Sequence, residues 1–133
     1  MHDDNQDFKE FIEEWIKFAS DDLFVGRHLF YDVNPKQLYI SCYHCQQCVE
    51  KILKAYLLNN GWELQKTHDL NLLCILCIEK DNSFEEIREL CSFVNPYGVD
   101  AKYPNNIELY DEIVKVIIDR TEKIYNFCKV KIQ

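Results

Sequence analysis

The sequence predicts an all-α protein, an antiparallel up-and-down bundle of four to five helices forming a single domain over residues 1–133. Three observations predict it. Only three glycines and three prolines interrupt the 133 residues, so long elements with short connections are expected. Apolar residues recur three and four positions apart over runs of several turns, the period of a helix face. No run alternates at period two for a useful length, and neither an internal repeat nor a low-complexity segment is present. Hydrophobic residues at 47% and charged residues at 29% are the balance of a globular chain with one core.

The first helix is expected over about 7–31, where Phe8, Phe11, Ile12, Trp15, Ala19 and Leu29 share a stripe that also carries Asp22 and Gly26. Asp32-Val33-Asn34-Pro35 breaks that pattern. Asn34 suits an N-cap and Pro35 the first helical position. The second helix is expected over 35–59, with Leu38, Cys42, Cys45, Val49, Ile52 and Tyr56 as one apolar seam. Asn59-Asn60-Gly61 stops it, Gly61 being free to take the left-handed conformation. A third helix follows Thr67, read as its N-cap, with Asp69 in its first turn, and covers 70–80. Leu72, Leu73, Ile75, Leu76 and Ile78 make it apolar on more than one side. Ser83-Phe84-Glu85-Glu86 reads as a capping box for a fourth helix fading near Asn95-Pro96. Residues 96–105 are irregular. Asn105 with Glu108 reads as a further capping signal, and the last helix runs over 107–129 on the stripe Ile107, Tyr110, Val114, Ile117, Ile118, Thr121, Ile124 and Cys128.

Charge and composition narrow the function classes. The net charge is -8, which repels a phosphate backbone, so non-specific DNA or RNA binding is not expected, although a local basic site for a nucleotide is compatible with it. No apolar run reaches membrane-spanning length, and Met1-His2-Asp3-Asp4 opens the chain without an apolar signal core, so no membrane association and a cytoplasmic location are expected. In that compartment the seven cysteines are expected as free thiols.

Cys42-x-x-Cys45 and Cys74-x-x-Cys77 have the spacing of zinc ligands. Both pairs fall inside expected helices on apolar faces, which favours small core filler over metal. No metal site and no cofactor are expected. In the second helix His44, Gln47, Lys51 and Lys54 are three and four residues apart and share a face, with Gln46 and Glu50 beside it. Two lysines, an imidazole and an amide suit a phosphate and a base edge; a solvated face or dimer contact accounts for them equally well. Asp22 falls on the inward stripe and needs a partner. A structural ion pair with Lys51 or Lys54 is the favoured reading over a site carboxylate. His68-Asp69 opens the third helix, where both suit capping, and His68 would also stand at a helix N-terminus able to receive an anion. Lys102-Tyr103 puts a cation beside a stacking aromatic in the longest loop. No catalytic residue is assigned. Cys45 or Cys48 with His44 would diverge around a helix, and no glycine-rich phosphate loop exists.

Taken together, these residues resemble the HEPN domain family. The second helix carries the likeness, from Tyr43-His44-Cys45-Gln46-Gln47-Cys48 through Val49-Glu50-Lys51-Ile52-Leu53-Lys54-Ala55. There the family typically has an aromatic, His, Ala, Gln, Gln, Ala and then a Val-Glu-Lys-x-Leu-Lys-Ala run. Trp15-x-x-x-Ala19-x-x-Asp22-Leu23, Thr67-His68-Asp69-Leu70 and Ala101-Lys102-Tyr103-Pro104 support it, the last resembling an Arg-Tyr-Pro element. Cys45 and Cys48 stand where the family commonly has alanine, which again fits filling. The resemblance implies a helical bundle, commonly a homodimer, often paired with a minimal nucleotidyltransferase in two-gene modules related to toxin–antitoxin systems. Some members are ribonucleases with an Arg, a short polar spacer and a His. Here no Arg precedes a His at that spacing: Arg27 adjoins His28, and no His follows Arg88 or Arg120. Lys102 for the family's Arg keeps the charge and loses the planar fork. Three functions are therefore weighed. The first is a module binding a nucleotide or a nucleotidyltransferase through Asp22, His44, Gln47, Lys51, Lys54, His68, Lys102 and Tyr103. The second is a metal-independent ribonuclease toxin using His44 or His68 as base, and the third is a purely structural dimer or adaptor.

Overall fold

The computed structural model describes residues 4–98 and 108–132. Five α-helices follow one another as α1 (Asp4–Tyr31), α2 (Leu38–Asn59), α3 (Leu70–Lys80), α4 (Arg88–Val94) and α5 (Asp111–Lys131), with short 3-10 turns at Asn82–Ile87 and Asn95–Tyr97 on either side of α4. The described residues include no strand.

α1 and α2 form an antiparallel hairpin. Their approach is close because Gly26 has no Cβ: one built there would stand 3.1 Å from both Cys45 Sγ and the Ser41 carbonyl oxygen. Ser41 Oγ donates to the Gly26 carbonyl at 2.6 Å across the same crossing. The connecting turn is pinned to the end of α1. Gln37 N donates to Leu29 O at 3.0 Å, and Lys36 Nζ to Phe30 O at 2.8 Å. These bonds keep residues 32–37 out of the helix, so α2 opens at Leu38, with no side-chain cap, rather than at Pro35 with Asn34 capping.

α2 is the central element, in contact with α1, α3, α4 and α5. Fourteen of its 22 residues are buried, including every one from Ile52 to Leu58, so the single seam expected from the sequence widens to the whole circumference. It stops as expected. Gly61 has φ 86°, Trp62 N returns to Leu57 O at 3.1 Å and Gly61 N to Leu58 O at 3.2 Å, the paired bonds of a left-handed C-terminal cap.

Residues 60–69 run back along the bundle, so α3 lies beside α2 in the same direction. Gln46 reaches the His68 carbonyl near its start, and Cys77 Sγ reaches Leu53 O near its end. The N-cap of α3 is Asp69, not Thr67: Asp69 Oδ1 accepts from Asn71 N at 2.9 Å. Thr67 Oγ1 is used one step earlier, accepting from Asp69 N at 3.0 Å. Asn95 completes the cap from α4's far end, accepting from Leu70 N at 2.8 Å. The Ser83 capping box is also corrected. Asp81 takes the capping role, accepting from Ser83 N at 3.0 Å and Ser83 Oγ at 2.7 Å, and the result is a 3-10 turn with α4 opening only at Arg88. α5 opens at Asp111 behind an extended Tyr110; Asn105 and Ile107 lie outside the described residues.

The core joins Cys42, Cys45, Cys48, Val49, Ile52, Leu53 and Leu57 of α2 to Leu70 and Leu73 of α3 and Ile117, Ile118 and Ile124 of α5. Phe84 packs between Tyr56, tilted against it at 4.4 Å, and Phe127, edge-on at 5.1 Å between centroids. All seven cysteines are free and buried. Among the described residues, no helix is long and apolar enough to cross a membrane.

Candidate functional site

The covering of most of α2, complete from Ile52 to Leu58, takes several of its polar residues into the interior. Gln46, Glu50 and Lys54 are 1%, 5% and 6% exposed, and Asp22 of α1 is 8% exposed. A buried charge persists only if paired and hydrogen-bonded, and here each of two carboxylates takes one lysine and one histidine. Asp22 Oδ1 lies 2.8 Å from His44 Nδ1, and its Oδ2 accepts from Lys51 Nζ at 2.6 Å. Glu50 Oε2 accepts from Lys54 Nζ at 2.9 Å, while His68 Nδ1 lies 3.0 and 3.1 Å from its two oxygens. Gln47 joins the system to Gln46: its Nε2 donates to Gln46 Oε1 at 2.9 Å and lies 3.3 Å from Glu50 Oε1. Gln46 Nε2 donates to the His68 carbonyl at 3.0 Å. Gly98 leaves the room this needs, since a Cβ there would fall 3.0 Å from Gln46 Cδ.

Of the residues singled out in the sequence, the fold gathers Asp22, His44, Gln47, Lys51, Lys54 and His68; Lys102 and Tyr103 lie outside the described residues. Asp22 pairs with Lys51, one of its two expected lysines. Lys54 turns inward to Glu50 instead, so it is not on an accessible face. Sequence reasoning left Glu50 and Gln46 beside the stripe, although they are the buried centre of the second half. The Glu50–Lys54 spacing of four was the available signal.

The geometry limits the chemistry. Two carboxylates balance two lysines, so a phosphate would have to displace an internal carboxylate to gain a cation. A carboxylate beside Nδ1 favours the tautomer that donates from it, which leaves Nε2 of His44 as an acceptor. Cys45 adjoins His44 in sequence, but burial pushes its thiol up to about 12 and raises Cys48 well above the usual thiol range; neither supplies a thiolate nucleophile. The solvent-facing edge of the cluster consists of His44, Lys51 and His68, with side chains 27%, 29% and 65% exposed. Beside it Tyr39, Ile40, Tyr43 and His44 line a groove of about 330 Å³. An adjoining hollow of about 420 Å³ is formed by Lys36, Gln37, Leu38, Tyr39 and Ile40. The rim is therefore aromatic and aliphatic around a charge-balanced polar centre.

A family model described as the HEPN domain matches residues 12–131. The crystal structure of an archaeal HEPN homologue shares the fold, with a TM-score of 0.70 at 24% sequence identity, covering 92% of this chain and 98% of that one. No curated protein matches the chain.

Proposed function

We propose that this chain, which belongs to the HEPN domain family, is a non-catalytic recognition module presenting the face around Asp22, His44 and Lys51 to a protein partner. One observation carries the reading: both lysines of the cluster already hold a carboxylate, at 2.6 and 2.9 Å. Binding a free nucleotide phosphate there would leave Asp22 or Glu50 buried without its cation, a cost of several kcal/mol. A protein surface needs no such exchange. It covers the apolar groove of Tyr39, Ile40 and Tyr43 and, beside it, meets the exposed edges of His44 and Lys51, so apolar burial and polar contacts are both available on one face. The partner class implied by the family resemblance is a minimal nucleotidyltransferase, in a two-gene module. Titrating the chain with a minimal nucleotidyltransferase of the same genome in a calorimeter tests this. Ile40, 50% exposed, is replaceable without touching the core. Ile40→Asp is expected to weaken the complex at least about tenfold with an unchanged thermal midpoint, and unaltered affinity would overturn the assignment of the face. A second copy of the chain is the other occupant that the resemblance implies; a dimer split by Ile40→Asp in sedimentation would replace the heteromeric reading.

A ribonuclease is the second reading, favoured by the Asp22–His44 pair. A carboxylate holding Nδ1 is how an imidazole base is oriented, and Lys51 stands on the same carboxylate. It predicts RNA cleavage that disappears in His44→Ala. The recognition module predicts no cleavage by either protein.

A further inference from the structure

α1 is longer than the helices that cover it, with 28 residues against 22 in α2 and 21 in α5. At 1.5 Å per residue it extends roughly 9 Å further than α2. Asn59, the last residue of α2, lies level with Phe8, Lys9, Ile12 and Glu13, and residues 4–11 are exposed on every side. The projecting part continues into a flank of unusual composition. Phe11 and Phe18, 44% and 47% exposed, stand seven residues apart. Asp7, Glu14 and Asp21, all exposed, form a second row at the same spacing. At 100° per residue the two rows lie about 40° apart on the helix surface. Lys17 reaches Asp21 at 3.3 Å across one exposed turn, a weak surface pair that another cation can replace. Trp15 and Asp22 occupy the next row inward, so the flank leads to the edge of the buried cluster.

Two exposed aromatics two turns apart on one face offer apolar contact to another helix, and the exposed acids Glu14 and Asp21 beside them complement cations flanking that helix's apolar stripe. A chain of net charge -8 offers poor complement to its own acidic flank. Nucleic acid and anionic lipid surfaces are repelled by it. We propose that the Phe11–Phe18 flank of α1 docks a basic amphipathic helix of a protein partner, whose apolar residues cover the two phenylalanines and whose lysines or arginines face Glu14 and Asp21. The inference rests on the chain being a recognition module, but it uses a surface separate from the Tyr39–His44 rim, so either assignment can fail without the other.

The probe is a fluorescein-labelled peptide of about 21 residues, long enough to form a helix, with leucine on its seam and lysine flanking it. A control peptide has each lysine replaced by glutamate. Anisotropy is read with the wild type, Phe11→Ser/Phe18→Ser, Glu14→Lys/Asp21→Lys and Ile40→Asp, each first shown to keep its thermal midpoint. The lysine peptide is expected to bind the wild type and Ile40→Asp alike, more weakly as salt rises, and at least about tenfold more weakly to either double variant. The glutamate peptide should not bind. Absence of binding by the lysine peptide overturns the proposal, as does equal binding by the double variants or by the glutamate peptide. Sedimentation of the wild type as a dimer that Phe11→Ser/Phe18→Ser dissociates would also overturn it, because a second copy would then occupy the flank.

Discussion

Removing Glu50 tests the buried centre of the site most severely. In Glu50→Met, Lys54 stays buried with a side chain 7% exposed and without the carboxylate that stood 2.9 Å away. Breaking such a pair from one side costs about 3–5 kcal/mol, because a cation is left buried and uncompensated. For a chain of this length each kcal/mol shifts the midpoint by roughly 3–5 °C, so a fall of roughly 10–20 °C is expected. Lys54→Met should be milder, about 1–3 kcal/mol, since Glu50 keeps His68 at 3.0 Å and Gln47 at 3.3 Å. The double variant Glu50→Met/Lys54→Met removes both charges and fills similar volume, so it should return to within about 1 kcal/mol of the wild type. Circular dichroism with urea and heat, arranged as a double-mutant cycle, gives the coupling energy directly. A loss below about 1 kcal/mol in Glu50→Met, or a double variant as unstable as the sum of the singles, would refute the argument that the pair is buried and mutually compensating.

Three further outcomes follow from the packing. Gly26→Ala gains about 1 kcal/mol of helix propensity but drives a methyl to 3.1 Å from a rigid α2 carbonyl, an overpacking cost of about 1–3 kcal/mol; urea denaturation should show net destabilisation, and a more stable variant would mean that α2 gives way. Ellman's reagent near neutral pH should find no reactive thiol in the native protein and all seven in denaturant, because every cysteine is buried and Cys45 is pushed up to about 12; rapid native titration would contradict that. Bonds from Ser83, with a contribution from Lys131, hold the Asp81 carboxyl below its usual range. A lowered folded pKa contributes stability above the unfolded value of about 4 and loses it as pH falls through the folded value. Asp81→Asn should therefore destabilise at neutral pH and converge with the wild type in acid, whereas a pH-independent difference in midpoint would reject the mechanism.

What could be read from the sequence was local. The periods of α1 and α2, the 70–80 range of α3 and the Gly61 stop depend on the residues themselves, and each is found where it was expected. The openings of α2 and α4 and the cap of α3 were displaced because their orphan N–H groups are answered from elsewhere in the fold. Leu29 and Phe30 hold the turn before α2, Asn95 reaches over from the end of α4, and Asp81 takes the role given to Ser83. The candidate site divides in the same way. Asp22 was marked by a carboxylate falling on an apolar stripe, and His44 and Lys51 by their shared face. The Glu50 four residues before Lys54 marks a pair within the helix, but nothing local shows that this pair is buried while Lys51 reaches solvent. Their difference in exposure arises because residues 60–69 return along the bundle and set His68 and α3 over Glu50, a tertiary event that helix periodicity does not encode.

The face around Asp22, His44 and Lys51 is proposed to recognise a protein and not a free phosphate. The most direct measurement is hydrogen–deuterium exchange of the chain alone, with a panel of nucleotides and magnesium, and with a minimal nucleotidyltransferase. The nucleotidyltransferase is expected to protect residues 39–51 of α2 and the facing part of α1, and the nucleotides to protect neither. Protection of that segment by a nucleotide alone, or a partner footprint confined to α3 and α5, would contradict it.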